Sequence, residues 1–376
     1  MSLRQFIVDE IRRDGPMPFS RYMELCLYHP ELGYYSGATE QFGKAGDFYT
    51  SSDVHAVFGR LLSRQFEEMW RTLDSPERIE VIELGPGRGL FAADVLDWSA
   101  KQFPEFARAL RYQLVEQSPT FCSRLRERLS SHRASGETAV FESLESAASA
   151  AGQHLILFAN EFFDALPVEI VDHRGSVRVV ERGDRFAEKF VPPSAQELAF
   201  IDSYSVHPEP GERVEVSLAS LPWMDRIAGA CNGRRGFVVF IDYGYTREEQ
   251  LARRHRDTLM TYRQHQTNPS PYEAPGEQDI TAHVNFTALR SRGSDRGLEP
   301  IALLTQSQFL IGIGEETQFA DAFQDCKLPQ ERAKVALQLK HLISPEAMGE
   351  TFQVLLLSHG VAKEKAARLS GLRLAH

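Results

Sequence analysis

The run Val81-Ile82-Glu83-Leu84-Gly85-Pro86-Gly87-Arg88-Gly89-Leu90 decides how this chain is read. An apolar strand ends in an acid, passes through three alternate glycines and enters a helical pattern over residues 90–102. Glycine tolerates the positive φ of a tight turn and lets a ligand come up against bare backbone. The helix start beyond it offers N–H groups that have no intrahelical acceptor. A dinucleotide-binding turn has the form GxGxxG, with its third glycine one position later. Here that position is Leu90, and the pattern is GxGxG.

Outward from this turn, strand-like apolar runs fall at residues 79–84, 112–116, 138–141, 154–159, 237–242, 300–304 and 351–357. Helical patterns at 90–102 and 119–130 separate the first three. Strands alternating with helices predict an α/β fold whose largely parallel sheet is covered on both faces. Ahead of the sheet, residues 3–13 repeat apolar groups at helical spacing, Ser20 can cap a second helix, and residues 54–73 form a long amphipathic one. Two stretches break the alternation. Residues 170–220 alternate Val and Arg around Gly175 and Gly183, as an inserted antiparallel hairpin would, and residues 244–284 lack an apolar period.

Composition narrows the function. The 376 residues carry 42 Lys+Arg against 52 Asp+Glu, a net charge of −10, which argues against a nucleic-acid surface. A hydrophobic share of 42% with 25% charged residues excludes global disorder. No apolar run approaches the roughly 18 residues of a membrane span. Cys26, Cys122, Cys231 and Cys326 are scattered, which indicates neither a disulfide framework nor a zinc site. The first fifteen residues have no signal-peptide core, and Asp9 and Glu10 fit poorly with an acid-poor presequence, so the expected location is cytoplasmic.

Two further strand ends carry chemistry. Glu116 closes the second strand, where a carboxylate can accept both hydroxyls of a ribose; the plainer alternative is a solvated strand-end acid. The run Ile156-Leu157-Phe158-Ala159-Asn160-Glu161-Phe162-Phe163-Asp164-Ala165-Leu166-Pro167 delivers an Asn-Glu pair to the carboxyl edge of the sheet, where open α/β folds hold ligands. Alternatively, Asn160 caps a following helix while Phe162, Phe163 and Leu166 are core.

With Glu83 ahead of it, the glycine turn resembles motif I of class I S-adenosylmethionine-dependent methyltransferases. Longer segments resemble the MidA family, the group that includes the mitochondrial complex I assembly-factor protein arginine methyltransferase. They are His29-Pro30 with Gly33-Tyr34-Tyr35, Gly46-Asp47-Phe48-Tyr49-Thr50-Ser51, Glu83 to Gly89, Ala159 to Glu169, Ile241-Asp242-Tyr243-Gly244, Tyr262 to His265, Pro275 to His283, and Thr305-Gln306 with Gln308-Phe309-Leu310. One departure is Ser52-Asp53, where the family pattern leads to an expected Pro-Glu.

The resemblance implies a Rossmann-like core with a seven-stranded, mostly parallel sheet, S-adenosylmethionine as cofactor, and arginine methylation of a protein, a respiratory-complex subunit being one candidate. The expected layout is a helical N-terminal segment with a cofactor-covering loop over 1–75, then a core over 76–376 carrying the two insertions. Expected cofactor contacts are Glu83, Gly85, Gly87, Gly89, Glu116 and Asn160, with Gly46, Asp47, Thr50 and Ser51 in the covering loop. Two carboxylates can hold a planar guanidinium in bidentate geometry, and Glu161 with Glu169 resembles the double-glutamate loop of protein arginine methyltransferases. Asp164 is the competing partner. Asp242, His265 and His283 are candidate acceptor contacts, although both histidines also read as structural ones. Glu277, Asp279 and His283 lack paired ligand spacing, so no metal is expected. Competing readings are a small-molecule methyltransferase, an assembly factor that binds the cofactor and acts by protein contact, and, weakest because of Leu90, a dinucleotide oxidoreductase.

Overall fold

The computed structural model describes residues 2–36, 56–134, 136–263, 266–267 and 270–375. The described parts fall into two compact units, one drawn from residues 1–49, 162–224 and 244–291 and the other from 50–161, 225–243 and 292–376. The division differs from the expected one at residue 75. The N-terminal segment shares a unit with both insertions, whereas the helix Ala56–Thr72 belongs with the large sheet.

That sheet has seven principal strands: β1 (Ile79–Leu84), β2 (Leu110–Val115), β3 (Thr138–Phe141), β4 (His154–Asn160), β5 (Arg235–Tyr245), β6 (Glu299–Thr305) and β7 (Phe352–His359). Their spatial order is β3-β2-β1-β4-β5-β7-β6. The first five run parallel, while β7 lies antiparallel to both β5 and β6. β1, the middle of β4 and most of β5 are buried and, apart from acids such as Glu80 and Glu83 of β1, largely apolar, as strands covered on both faces tend to be. One face is covered by the helices Ala56–Thr72 and Leu90–Gln102. Phe158 of β4 stacks on Phe91 at 4.6 Å between ring centroids and meets Phe66 edge-on at 5.6 Å. Aromatic pairs in these geometries contribute beyond their burial. The chain leaves β1 outward to β2 and β3, then returns to β4 on the other side. The order therefore reverses at β1, and the crevice at the carboxyl ends of such strands is where open α/β sheets bind ligands.

The other unit is built on long-range antiparallel pairing. Met17–Pro18 pairs with the strand Gly175–Arg182, which also pairs with Glu169–Asp172 and Arg185–Val191; Arg213–Val216 extends the sheet from Glu169–Asp172. The helices Leu3–Asp14 and Phe19–Tyr28 pack on it through Ile7, Phe19, Tyr22 and Met23, all fully buried with Val177 and Val179. Residues 170–220 thus hold more than the expected hairpin: four strands and the helix Ala195–Tyr204, which Ser194 and Glu197 close with a capping box. The second insertion supplies a sheet of three short strands, Met260–Arg263, Gln266–Thr267 and Asp279–Thr281. Among the described residues, no helix is long and apolar enough to cross a membrane.

Candidate functional site

Gly85, Gly87 and Gly89 all adopt positive φ, at 62°, 50° and 71°. The turn is pinned by Gly85 N–H donating to the Val115 carbonyl (3.1 Å) and Gly89 N–H donating to the Pro86 carbonyl (2.8 Å). The last two glycines are needed for different reasons. A Cβ on Gly89 would stand 2.7 Å from Leu125 Cδ2, so this glycine lets the helix Pro119–Arg128 close against the turn. A Cβ on Gly87 would meet nothing within 4 Å among the described residues. Bare backbone facing open space is what a ligand's approach requires. Gly89 also begins the helix Leu90–Gln102 without any side-chain cap, leaving its first N–H groups to other acceptors.

Three further strand ends meet this turn along the carboxyl edge. Glu83, on β1, is buried and accepts a hydrogen bond from the Tyr112 hydroxyl of β2 at 2.9 Å. Burial pushes its carboxyl up to about 8, against the opposing effect of that bond. Glu116 follows β2; its Oε1 accepts from Ser118 N–H at 2.7 Å, and burial raises its carboxyl above the ordinary range. Asn160 ends β4, and its Nδ2 donates to Glu161 Oε1 at 3.0 Å. No helix follows directly, so Asn160 caps none; residues 161–168 form turns, with Phe163 and Leu166 buried. Glu161 sits at φ 49°, a left-handed backbone uncommon for a non-glycine residue, and its N–H donates to the Ile241 carbonyl of β5 at 2.9 Å. Asp242 is buried one residue further along β5, with Oδ1 accepting from Tyr243 N–H.

The other unit holds the remaining candidates. Asp164 is buried, and its backbone carbonyl accepts from Ala282 N–H at 3.0 Å. Glu169 opens a strand, but a buried one rather than an exposed edge. Its Oε1 accepts from the Ser20 hydroxyl at 2.5 Å and its Oε2 from Arg178 Nη1 at 3.3 Å. Burial nevertheless raises the Glu169 carboxyl, outweighing these partners. His283 Nδ1 lies 3.3 Å from His255 Nδ1, and burial, followed by His255, lowers it to about 4. Tyr245 stacks on His255. Gly46, Asp47, Thr50, Ser51 and His265, with Ser52 and Asp53, lie outside the described residues. Among those described, no group of three or more His, Cys, Asp or Glu residues is placed to hold a metal ion.

Sequence reasoning missed Tyr112 and His255. Tyr112 was legible in principle, because its position on the neighbouring parallel strand, two residues before the partner of Glu83, puts it on the same face. His255 carried no such signal.

A family model for S-adenosyl-L-methionine-dependent methyltransferases matches residues 61–303. The chain belongs to this family. Its cofactor is accordingly S-adenosylmethionine, and the residues of the crevice described above that could hold it are Gly87, Glu116 and Glu83. Full-length relatives agree. The chain is 28% identical to the mitochondrial protein arginine methyltransferase NDUFAF7 homolog of Drosophila melanogaster, over 96% of this chain and 85% of that protein. It is 25% identical to the human protein arginine methyltransferase NDUFAF7, also mitochondrial, over 93% and 81%. A crystal structure of a Burkholderia thailandensis protein bound to S-adenosyl-homocysteine superposes with a TM-score of 0.82 at 27% identity, covering 99% of this chain and 95% of that one.

Proposed function

We propose that this methyltransferase modifies the guanidinium of a protein arginine, with Glu161 as the group that receives it. The observation that carries the proposal is the backbone of Glu161, locked in the left-handed region by its hydrogen bond to Ile241 at the carboxyl edge of the sheet. Strain of this kind persists where the surroundings over-determine it, and it clusters at functional positions. The names of the curated relatives support the same reading.

A guanidinium stays protonated to beyond pH ~12 in water, so the chain must orient it and accept charge from the attacking nitrogen. A fixed carboxylate does both, accepting two parallel N–H bonds and drawing positive charge away from the reacting end. Asn160 restrains one oxygen of Glu161. Glu83, Glu116 and the Gly85–Gly89 turn would hold the cofactor, which supplies a methyl group on a sulfonium for in-line displacement. Positioning provides most of the acceleration in such a transfer. We assign Glu169 a structural role, because Ser20 and Arg178 already engage both its oxygens; Asp164 is the second acidic candidate for the acceptor. Asp242 and His283 are kept as secondary acceptor contacts. The acceptor we infer is a protein, with a respiratory-complex subunit as the candidate the family resemblance supplies. Four unpaired cysteines accord with a reducing compartment such as the cytoplasm, although the curated relatives are mitochondrial.

The test is labelled-methyl transfer into a lysate of cells lacking this chain, with mapping of the modified residue. Label on arginine is expected. Glu161→Gln keeps the size and one acceptor oxygen but removes the charge, so kcat should fall on the order of 10²-fold or more with cofactor affinity unchanged. Label recovered only in small molecules would replace this reading with the small-molecule alternative.

A further inference from the structure

We propose that Glu83 and Tyr112 form a proton-holding pair: the Glu83 carboxyl is neutral in the empty enzyme, and arrival of the cationic cofactor expels its proton to solvent. This rests on the cofactor reading of the β1 turn and concerns what that site does on binding. Glu83 is 4% exposed and Tyr112 fully buried, and the phenol donates to Glu83 Oε2 at 2.9 Å. Register explains the contact. Val81 faces Tyr112 across the β1–β2 ladder, and Glu83, two residues on, shares that face.

The surroundings on this face are apolar. Phe158 of β4 is the register partner of Glu83 on its other side, and Phe91 and Phe66 cover Phe158 from the two helices. The ionisable groups on those helices are engaged elsewhere. Asp94 responds to Arg60 and Asp97, and Arg64 pairs with Asp321. Glu80 points from the opposite face of β1 and pairs with Arg78. Among the described residues, Tyr112 is the side chain that acts on Glu83 beside burial. Where no described cation offsets its lost hydration, a buried carboxylate favours its neutral form. The consequence is a carboxyl pushed up to about 8.

The protonated acid suits the empty site, and the ionised one suits a ligand carrying a sulfonium and an ammonium. The exchange balances: Glu83–COOH becomes a carboxylate beside the cation, and one proton passes to the buffer. The Tyr112 hydrogen bond favours the ionised form. Tyr112 is therefore a positioning residue that sets how readily the proton leaves.

Linkage fixes the signs. Below about pH 8 the free enzyme holds one more proton than the complex, so affinity rises with pH, by up to tenfold per unit, and levels off above it. The probe is S-adenosylhomocysteine, whose ammonium remains although its sulfonium is gone. Its binding to the whole chain is measured by calorimetry between pH 6.5 and 8.5 in phosphate and in Tris, whose ionisation enthalpies differ. The expected result is release of close to one proton per ligand near pH 7, fading toward pH 8.5. Glu83→Gln should abolish the release and flatten the affinity profile. Tyr112→Phe should carry the release to higher pH and weaken binding at pH 7, with recovery as pH rises. Normal wild-type binding without buffer dependence would overturn the proposal, as would equal release from Glu83→Gln. No binding by wild type at any pH would overturn the cofactor reading with it. The wild-type measurement needs no variant to fold.

Discussion

Gly87 is the residue at which ligand and fold separate most cleanly. A Cβ there would meet no described protein atom within 4 Å, yet its φ of 50° is one that β-branched residues strongly resist. If the cofactor approaches this turn, Gly87→Val should block it with little disturbance of the described packing. The backbone strain is on the order of 1–2 kcal/mol, small against the stability of an ordinary domain. Calorimetry should show cofactor binding lost, and a thermal melt should still show one folded protein. Retained affinity would remove the turn from the site. Glu116→Ala should behave differently. Loss of hydrogen bonds to a charged acceptor is worth about 1.5–3 kcal/mol, so affinity should fall roughly tenfold to a hundredfold without vanishing.

Elements show which parts of the fold the sequence could carry. All seven strands of the large sheet lie within a few residues of their apolar runs, because the central strands, covered on both faces, are rich in apolar residues. The glycine turn and the strand-end acids were legible for a related reason: parallel α/β topology brings every carboxyl end to one edge. What local pattern could not supply is pairing across the chain. Met17–Pro18 adds to a strand some 160 residues later, and no composition shift announces it. The partners of Glu169 were hidden in the same way, since Ser20 and Arg178 come from distant or opposite-strand positions. Arg178 lies 3.3 Å from Glu169 and 3.7 Å from Glu197, both of them buried acids. Arg178→Met would leave two buried carboxyls without their cation, and urea unfolding should show a loss of about 3 kcal/mol. Glu169→Gln should differ, because the raised carboxyl shows that burial already outweighs its attraction to Arg178. Its stability should stay within about 1 kcal/mol of wild type, with kcat nearly unchanged. A turnover loss matching that of Glu161→Gln would return Glu169 to the acceptor site.

For the whole molecule, buried ionisable groups set opposing responses to pH. Glu83 and Glu215 are pushed up to about 8 and about 7, mainly by burial. Their folded values lie above the unfolded ones, so they favour folding in acid and withdraw that stability as pH rises toward 8. His283 works in the other direction. Its folded value of about 4 lies below the unfolded 6.5, so its contribution is present above pH 6.5 and is lost as pH falls toward 4. Its Nδ1 lies 3.3 Å from that of His255, whose own value burial also lowers, so charging either ring is disfavoured there. The net curve mixes these terms, whereas the difference between wild type and His283→Gln isolates the histidine. At neutral pH the variant should be somewhat less stable, having lost the His255 contact. Between pH 6.5 and 5 the gap should narrow by about 1–2 kcal/mol, at no more than 1.36 kcal/mol per pH unit, because only the wild type must keep a proton off a buried ring. Urea midpoints at half-unit pH steps measure that difference directly. Parallel curves for the two proteins would mean that His283 takes up its proton without unfolding, and would return it to the list of groups available to a substrate.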